Sequence, residues 1–163
     1  MIRSILYATD LGLYAPYVLQ HALQLAQAHN AKLHVVHAVE PMGLFAESVL
    51  QTYVDASVLE QLRENGLGVV MNSIEQRVLE AFREDVTEGI EDLSPLHGVR
   101  VVQGDPPQVI LDEAEQLGVD LVVIGSHSHG HSLHSSLGRT AARLLQLSQV
   151  PVYLVPMLQH RLA

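Results

Sequence analysis

The chain alternates between short apolar runs and longer segments with a helical period. Five runs are rich in β-branched residues and bounded by turn formers, which is typical of buried strands. They are residues 5–8, 33–36, 99–102, 121–124 and 152–155. Because the first and fourth runs are apolar almost throughout, we expect a sheet covered on both faces, and therefore a parallel one.

Three of the intervening segments carry apolar residues at helical spacing, with polar residues on the opposite face. They are residues 15–29, 107–117 and 139–147. The pattern places His21 and Glu113 on the polar faces of the first two helices and Leu145 on the apolar stripe of the third. Asp105, followed by two prolines, is typical of a helix start, and Gly118 is typical of a helix end.

The middle of the chain has a weaker pattern. Residues 55–88 keep a helical spacing that Gly66 and Gly68 interrupt, so they predict one long helix or a helix broken at the glycines. Residues 41–54 have no clear period, and we expect a loop or a short helix near the sheet edge.

Strands that alternate with helices imply one parallel sheet with right-handed crossovers. Winding both ways from the first strand gives the order 3-2-1-4-5, with helices on both faces. We therefore predict a single Rossmann-like α/β domain over residues 1–163. A crevice is expected outside the carboxyl ends of strands 1 and 4, where open α/β sheets bind ligands.

Composition narrows the choice of function. The chain has no cysteine, which excludes disulfides, Cys-ligated metals and thiol catalysis. Its net charge is −9 and its arginines are scattered, so nucleic acid is not an expected partner. We see neither a signal peptide nor an apolar run of the roughly 20 residues that span a bilayer. We expect a cytoplasmic protein with no membrane partner.

Two segments meet at the predicted crevice. Residues 8–12 follow strand 1, and residues 125–130 follow strand 4 and lead to a helix start. The free amides of Arg139 and Thr140 would direct positive partial charge at an anion, and the Asp10 carboxylate could hold a ribose hydroxyl or an adenine amine. The alternative is structural: Asp10 caps a turn, and the glycines only make tight turns.

Several sequence pieces, in this order and at these spacings, resemble the universal stress protein family over nearly the whole chain. They are ILYATD at 5–10, LHVVHAVEP at 33–41, Gly104-Asp105-Pro106, VDLVVIGSH at 119–127, LGRTA at 137–141 and VPVYLVP at 150–156. The resemblance implies an adenine nucleotide α-hydrolase-like fold and a role in stress response or signalling. It also implies ATP or another adenine nucleotide as ligand, with or without Mg²⁺.

The phosphate-binding part departs from the family pattern. In members that bind ATP, strand 4 is followed by a pattern that resembles Gly-x-x-Gly, nine residues, then Gly-Ser/Thr. Gly125 and Gly138 match its first and last glycines, whereas Ser128 replaces the second glycine and Arg139 replaces the final Ser/Thr. Thr140 comes one residue late. Arg139 either fills the phosphate site or pairs with phosphates as a fork of donors.

The adenosine end of the implied site is preserved. The resemblance assigns it five residues: Ala8, Thr9, Asp10, Ala38 and Ile124. We hypothesise weak binding of an adenine nucleotide, with AMP or ADP preferred to ATP. The alternative is a stress protein that acts through contacts with an unidentified protein while its pocket stays empty. Enzymatic activity is at most a slow ATP hydrolysis, and we assign no catalytic residue.

A histidine cluster is this chain's own feature. The four histidines lie within eight residues, beside the predicted phosphate site: His127, His129, His131 and His134. Neutral imidazoles could ligate Zn²⁺, Ni²⁺ or Cu²⁺, and protonated ones could contact phosphate. A polar, solvated loop is the third interpretation, so these residues are metal candidates only.

The last strand, Val152–Val155, is expected at the edge of the sheet, where an apolar strand invites pairing with another chain. The resemblance implies a homodimer through this strand, with an isologous interface. Pro151 and Pro156 bracket the strand and limit the length of the pairing.

Overall fold

The structure is a computed structural model, and it describes residues 1–40, 76–77, 79–86, 89–90, 92–127 and 137–157. Within these ranges it contains five strands and three α-helices that are described from end to end: β1 Ser4–Ala8, α1 Ala15–His29, β2 Lys32–Val39, β3 Leu96–Gln103, α2 Pro106–Leu117, β4 Leu121–Gly125, α3 Arg139–Leu147 and β5 Val152–Val155. None of the described helices has the length and apolarity needed to cross a bilayer.

The five strands form one parallel sheet in the order β3-β2-β1-β4-β5, which confirms the predicted topology. The side chains of the central strand β1 pack on both faces of the sheet. Ile5 and Tyr7 join the core that α1 covers, and Leu6 and Ala8 join the core that α2 and α3 cover. Ala8 lies in register with Val36 of β2 and Ile124 of β4. The carboxyl ends of these strands therefore open at one edge of the sheet.

The predicted boundaries of α2 are confirmed. Asp105 is the N-cap residue, two prolines follow it, and Gly118 ends the helix in the left-handed conformation with φ of 61°. Gly104 precedes the helix with φ of 156°, and a Cβ there would lie 2.7 Å from Cγ2 of Val109. Because only glycine fits this position, α2 can begin immediately beside the end of β3.

Two predictions of helix faces are wrong. Glu113 is only 4% exposed, because α2 turns it toward β3, where Nη1 of Arg100 lies 3.2 Å from its Oε2 and offsets its charge. Leu145 is 47% exposed, and α3 instead buries Ala141 and Leu144. This short helix covers the sheet beside the edge strand with a narrow stripe, so Leu145 falls outside the contact.

His21 also differs from its predicted place on the polar face of α1. It is half-buried between two tyrosines. Its Nδ1 lies 3.0 Å from the hydroxyl of Tyr153 on β5, and the ring of Tyr17 packs against it edge-on at 4.9 Å. The hydrogen bond joins α1 to the edge strand, which is why this polar side chain faces inward.

The predicted helix over 55–88 is described only at its C-terminal end. Residues 76–77 and 79–81 are helical, and a π-helical segment, Phe82–Val86, follows. The Phe82 side chain is buried in the core that α1 covers. The rest of this prediction, and the loop or short helix predicted over 41–54, lies outside the described residues.

Candidate functional site

A cleft of about 530 Å³ opens at the carboxyl edge of the sheet. Its volume is in the range of pockets that enclose small molecules. Nine of the ten predicted binding residues line it: Ala8, Thr9, Asp10, Ala38, Ile124, Gly125, Gly138, Arg139 and Thr140. The tenth, Ser128, lies outside the described residues. Four separate stretches of sequence thus converge on one cleft, at the carboxyl ends of β1, β2 and β4 and at the start of α3.

The loop after β1 is fixed by its own polar side chains. The buried Thr9 hydroxyl accepts the N–H of Leu11 at 3.1 Å, and Oδ1 of Asp10 accepts the N–H of Gly12 at 2.8 Å. Leu11 has a left-handed backbone, with φ of 59°. Asp10 therefore does cap a turn, as the structural interpretation held. Asp10 lines the cleft, and its Oδ2 makes no hydrogen bond to the described residues.

His37 supplies an oriented imidazole to the same wall. Its Nδ1 lies 2.8 Å from the carbonyl oxygen of Thr9. Because a carbonyl can only accept, we assign the proton to Nδ1, and Nε2 of the neutral ring is then an acceptor. His37 thus lines the cleft with its Nδ1 satisfied.

Ser126 lines the cleft but was not among the predicted binding residues, although its segment was placed at the crevice. It is only 4% exposed, and its main chain accepts the N–H of Gly138 and donates to the carbonyl of Val155. Its hydroxyl accepts the N–H of Met157 at 3.1 Å and lies 2.8 Å from Nδ1 of His127. Ser126 thus joins the ends of β4 and β5 to the start of α3. Its position directly after the strand was the available signal.

Tyr7 lies on the inner wall of the cleft. Its hydroxyl donates to the carbonyl oxygen of Ala15 at 3.1 Å. Burial raises the pKa of Tyr7 above its ordinary range, and the negative charge of Asp10 acts in the same direction, while the Thr9 side chain opposes it. Tyr7 therefore stays neutral and presents a mainly apolar surface to the cleft.

Arg139 begins α3 at the other wall. Its Nη1 lies 3.0 Å from Oδ1 of Asp105, and both side chains are more than half exposed. The sequence allowed two roles for Arg139, which either fills the phosphate site or pairs with phosphates. In the structure its guanidinium pairs with a carboxylate from the start of α2. The first amides of α3 have no acceptor within the helix, as at any helix N-terminus.

Metal binding finds no support in the part of the chain that is described. No group of three or more His, Asp or Glu side chains there could hold a metal ion. Of the histidine cluster, His127 is described, and His129, His131 and His134 lie outside the described residues. Mg²⁺ prefers free carboxylate and phosphate oxygens, whereas the carboxylate beside α3, Asp105, is paired with Arg139. Asp105 is therefore not a free carboxylate ligand for Mg²⁺ at this wall.

The comparison with known proteins agrees with the fold. The model of the universal stress protein family matches residues 1–156, and the chain belongs to this family. Universal stress protein A homolog 1 of Coxiella burnetii is 27% identical over 156 residues, which cover 94% of this chain and 95% of that protein. Universal stress protein MJ0577 of Methanocaldococcus jannaschii is 22% identical, with 95% of each chain covered.

Solved structures show the same α/β architecture. The structure of MJ0577 matches with a TM-score of 0.69 at 21% identity, covering 98% of this chain and 99% of that one. A universal stress protein solved in complex with cAMP matches with a TM-score of 0.57 at 19% identity, covering 95% and 97%. At these identities the likeness establishes the fold.

Proposed function

We propose that the chain binds an adenine nucleotide in this cleft and serves as a stress-response or signalling module. The observation that carries the proposal is the convergence of nine predicted binding residues on one cleft. The cleft lies where open α/β sheets bind ligands. Membership of the family and the cAMP complex of a structural relative support it. We also propose a cytoplasmic location, which a chain without cysteine favours.

The residues present fit an adenosine group. Ala8 and Ala38 are small and let a ligand approach the backbone, and Ile124 offers apolar surface to a base. Oδ2 of Asp10 would accept a ribose hydroxyl or the adenine amine, because Oδ1 is already used by Gly12. The phosphate end would lie toward the start of α3, whose first amides favour an anion.

The test begins with the small molecules that leave freshly purified protein on heat denaturation. Chromatography should detect an adenine nucleotide, and titration with ATP, ADP and AMP should show saturable binding. The Asp10→Ala variant should bind about tenfold more weakly, since a charge-assisted hydrogen bond is lost. Glu115→Ala, which removes an exposed carboxylate of α2 that does not line the cleft, should bind as the wild type does.

If no adenine nucleotide is released on denaturation and none binds in the titrations, the proposal is contradicted. Function would then rest on protein contacts with an empty pocket, which is the alternative that the altered phosphate segment allows. If Asp10→Ala and Glu115→Ala lower the nucleotide affinity equally, Asp10 does not contact the ligand.

We further propose a homodimer that pairs through β5. Val152–Val155 lies at one edge of the described sheet and is hydrogen-bonded on one side to β4. An unpaired apolar edge favours pairing with a second copy. Light scattering over a micromolar dilution series should give twice the 17.9 kDa mass of the chain. A constant monomer mass would contradict the dimer.

A further inference from the structure

Carboxylates outnumber lysine and arginine side chains among the described residues that line the cleft. Asp10 and Glu40 contribute carboxylates to its lining, and Arg139 is the single lysine or arginine among the described lining residues. The chain as a whole carries a net charge of −9. Among the described lining residues, the Arg139 guanidinium is thus the permanent positive charge available to a ligand with several negative charges.

The Arg139 guanidinium already has an anionic partner. Asp105 occupies the N-cap position of α2, yet its side chain makes no cap hydrogen bond, and its Oδ1 lies 3.0 Å from Nη1 of Arg139. Because α2 follows β3 and α3 follows β4 in a parallel sheet, both helices begin on the side where the strands end and the cleft opens. Arg139 lines the cleft, and Asp105 immediately precedes another lining residue, Pro106, so the ion pair lies beside the cleft.

We infer that Asp105 selects the ligand by its number of phosphates, favouring adenosine with one phosphate over the triphosphate. This inference rests on the proposed function. Asp105 neutralises the guanidinium that a triphosphate chain would use, and it adds a negative charge close to that chain. A monophosphate such as AMP or cyclic AMP brings less negative charge close to Asp105. It therefore does not require attraction by the Arg139 guanidinium.

The test compares the dissociation constants of adenosine, AMP, cyclic AMP and ATP by calorimetry, for the wild type and for Asp105→Asn. Asparagine is as good an N-cap residue as aspartate, so the start of α2 is preserved. We expect the wild type to prefer AMP or cyclic AMP to ATP. In Asp105→Asn, ATP affinity should rise about tenfold through the freed guanidinium, with adenosine affinity unchanged.

Two further variants separate this effect from a general change of charge. Glu115→Gln removes one exposed negative charge from the same helix, away from the cleft, and should leave the ratio of ATP to AMP affinity unchanged. The double variant Asp105→Asn/Arg139→Gln should lose the gain in ATP affinity. An equal gain in Glu115→Gln, or a gain that survives the loss of Arg139, would overturn the inference.

Adenosine has no phosphate, so its binding tests the proposed nucleotide site separately from the inference about Asp105. If adenosine binds but the wild type prefers ATP, or Asp105→Asn leaves the affinity ratio unchanged, the inference about Asp105 is wrong and the nucleotide site stands. If neither adenosine nor any nucleotide binds, the proposed function itself fails and the inference falls with it.

Discussion

In the Ala38→Phe variant, we expect adenosine affinity to fall at least about 100-fold while the protein remains folded. Ala38 lies near the carboxyl end of β2, is half-buried and lines the cleft. A phenyl ring at this position would occupy the space that an adenine base requires. Because the side chain borders an open cleft, the ring can extend without displacing the close-packed core, so the cost in stability should stay near the lower end of about 1–3 kcal/mol for overpacking.

The matched control is Ala28→Phe, which adds the same ring to an exposed position in the last turn of α1, outside the cleft lining. This variant should bind adenosine with wild-type affinity. Thermal melting of both variants would confirm that they are folded. Full affinity in a folded Ala38→Phe protein would exclude β2 as the wall that contacts the base.

The Arg100→Met variant should lose about 2 kcal/mol of unfolding free energy. Glu113 is buried, and its Oε2 has no hydrogen-bond partner in the described part of the chain, so Arg100 is the group that offsets its charge. Removing one member of a buried pair costs about 3–5 kcal/mol. We expect less here, because the Arg100 side chain is 55% exposed and water can replace part of it. Methionine keeps the apolar stem of the arginine.

Urea denaturation of three variants would measure this effect. Adding Glu113→Leu to Arg100→Met should restore most of the lost stability, since apolar side chains can replace a buried ion pair at little or no cost. Arg143→Met, at an exposed position of α3, should change stability by less than about 0.5 kcal/mol. An equal loss in Arg143→Met and Arg100→Met would mean that the Glu113 carboxylate does not depend on Arg100.

The arrangement of the sheet could be predicted because its signals are local. Each strand is a short apolar run, and each described α-helix has a periodic stripe of apolar residues between two such runs. The position of the cleft follows from topology, since parallel strands wound both ways from β1 bring their carboxyl ends to one edge. The family resemblance then assigned Asp10, Ala38 and Gly138 to the site at that edge, although they are distant in sequence.

The errors concern side chains whose surroundings are not local. A helical period shows which residues share a face, and it cannot show that Arg100 on β3 lies opposite Glu113 on α2. The ion pair of Asp105 and Arg139 joins two helix starts that are remote in sequence. Ser126 is held by partners from β5 and α3, and neither the strand period nor the glycine motif identifies it.

The left-handed backbone at Leu11 bears on the rate at which a ligand enters the cleft. A non-glycine residue in this region of backbone space is strained, and two short side-chain hydrogen bonds, from Leu11 to Thr9 and from Gly12 to Asp10, hold the loop in this conformation. The free-energy cost of this backbone strain is thus incurred when the protein folds. The proposed nucleotide would then meet a loop that is already in its final conformation, so the ordering of this loop would not be a cost of binding.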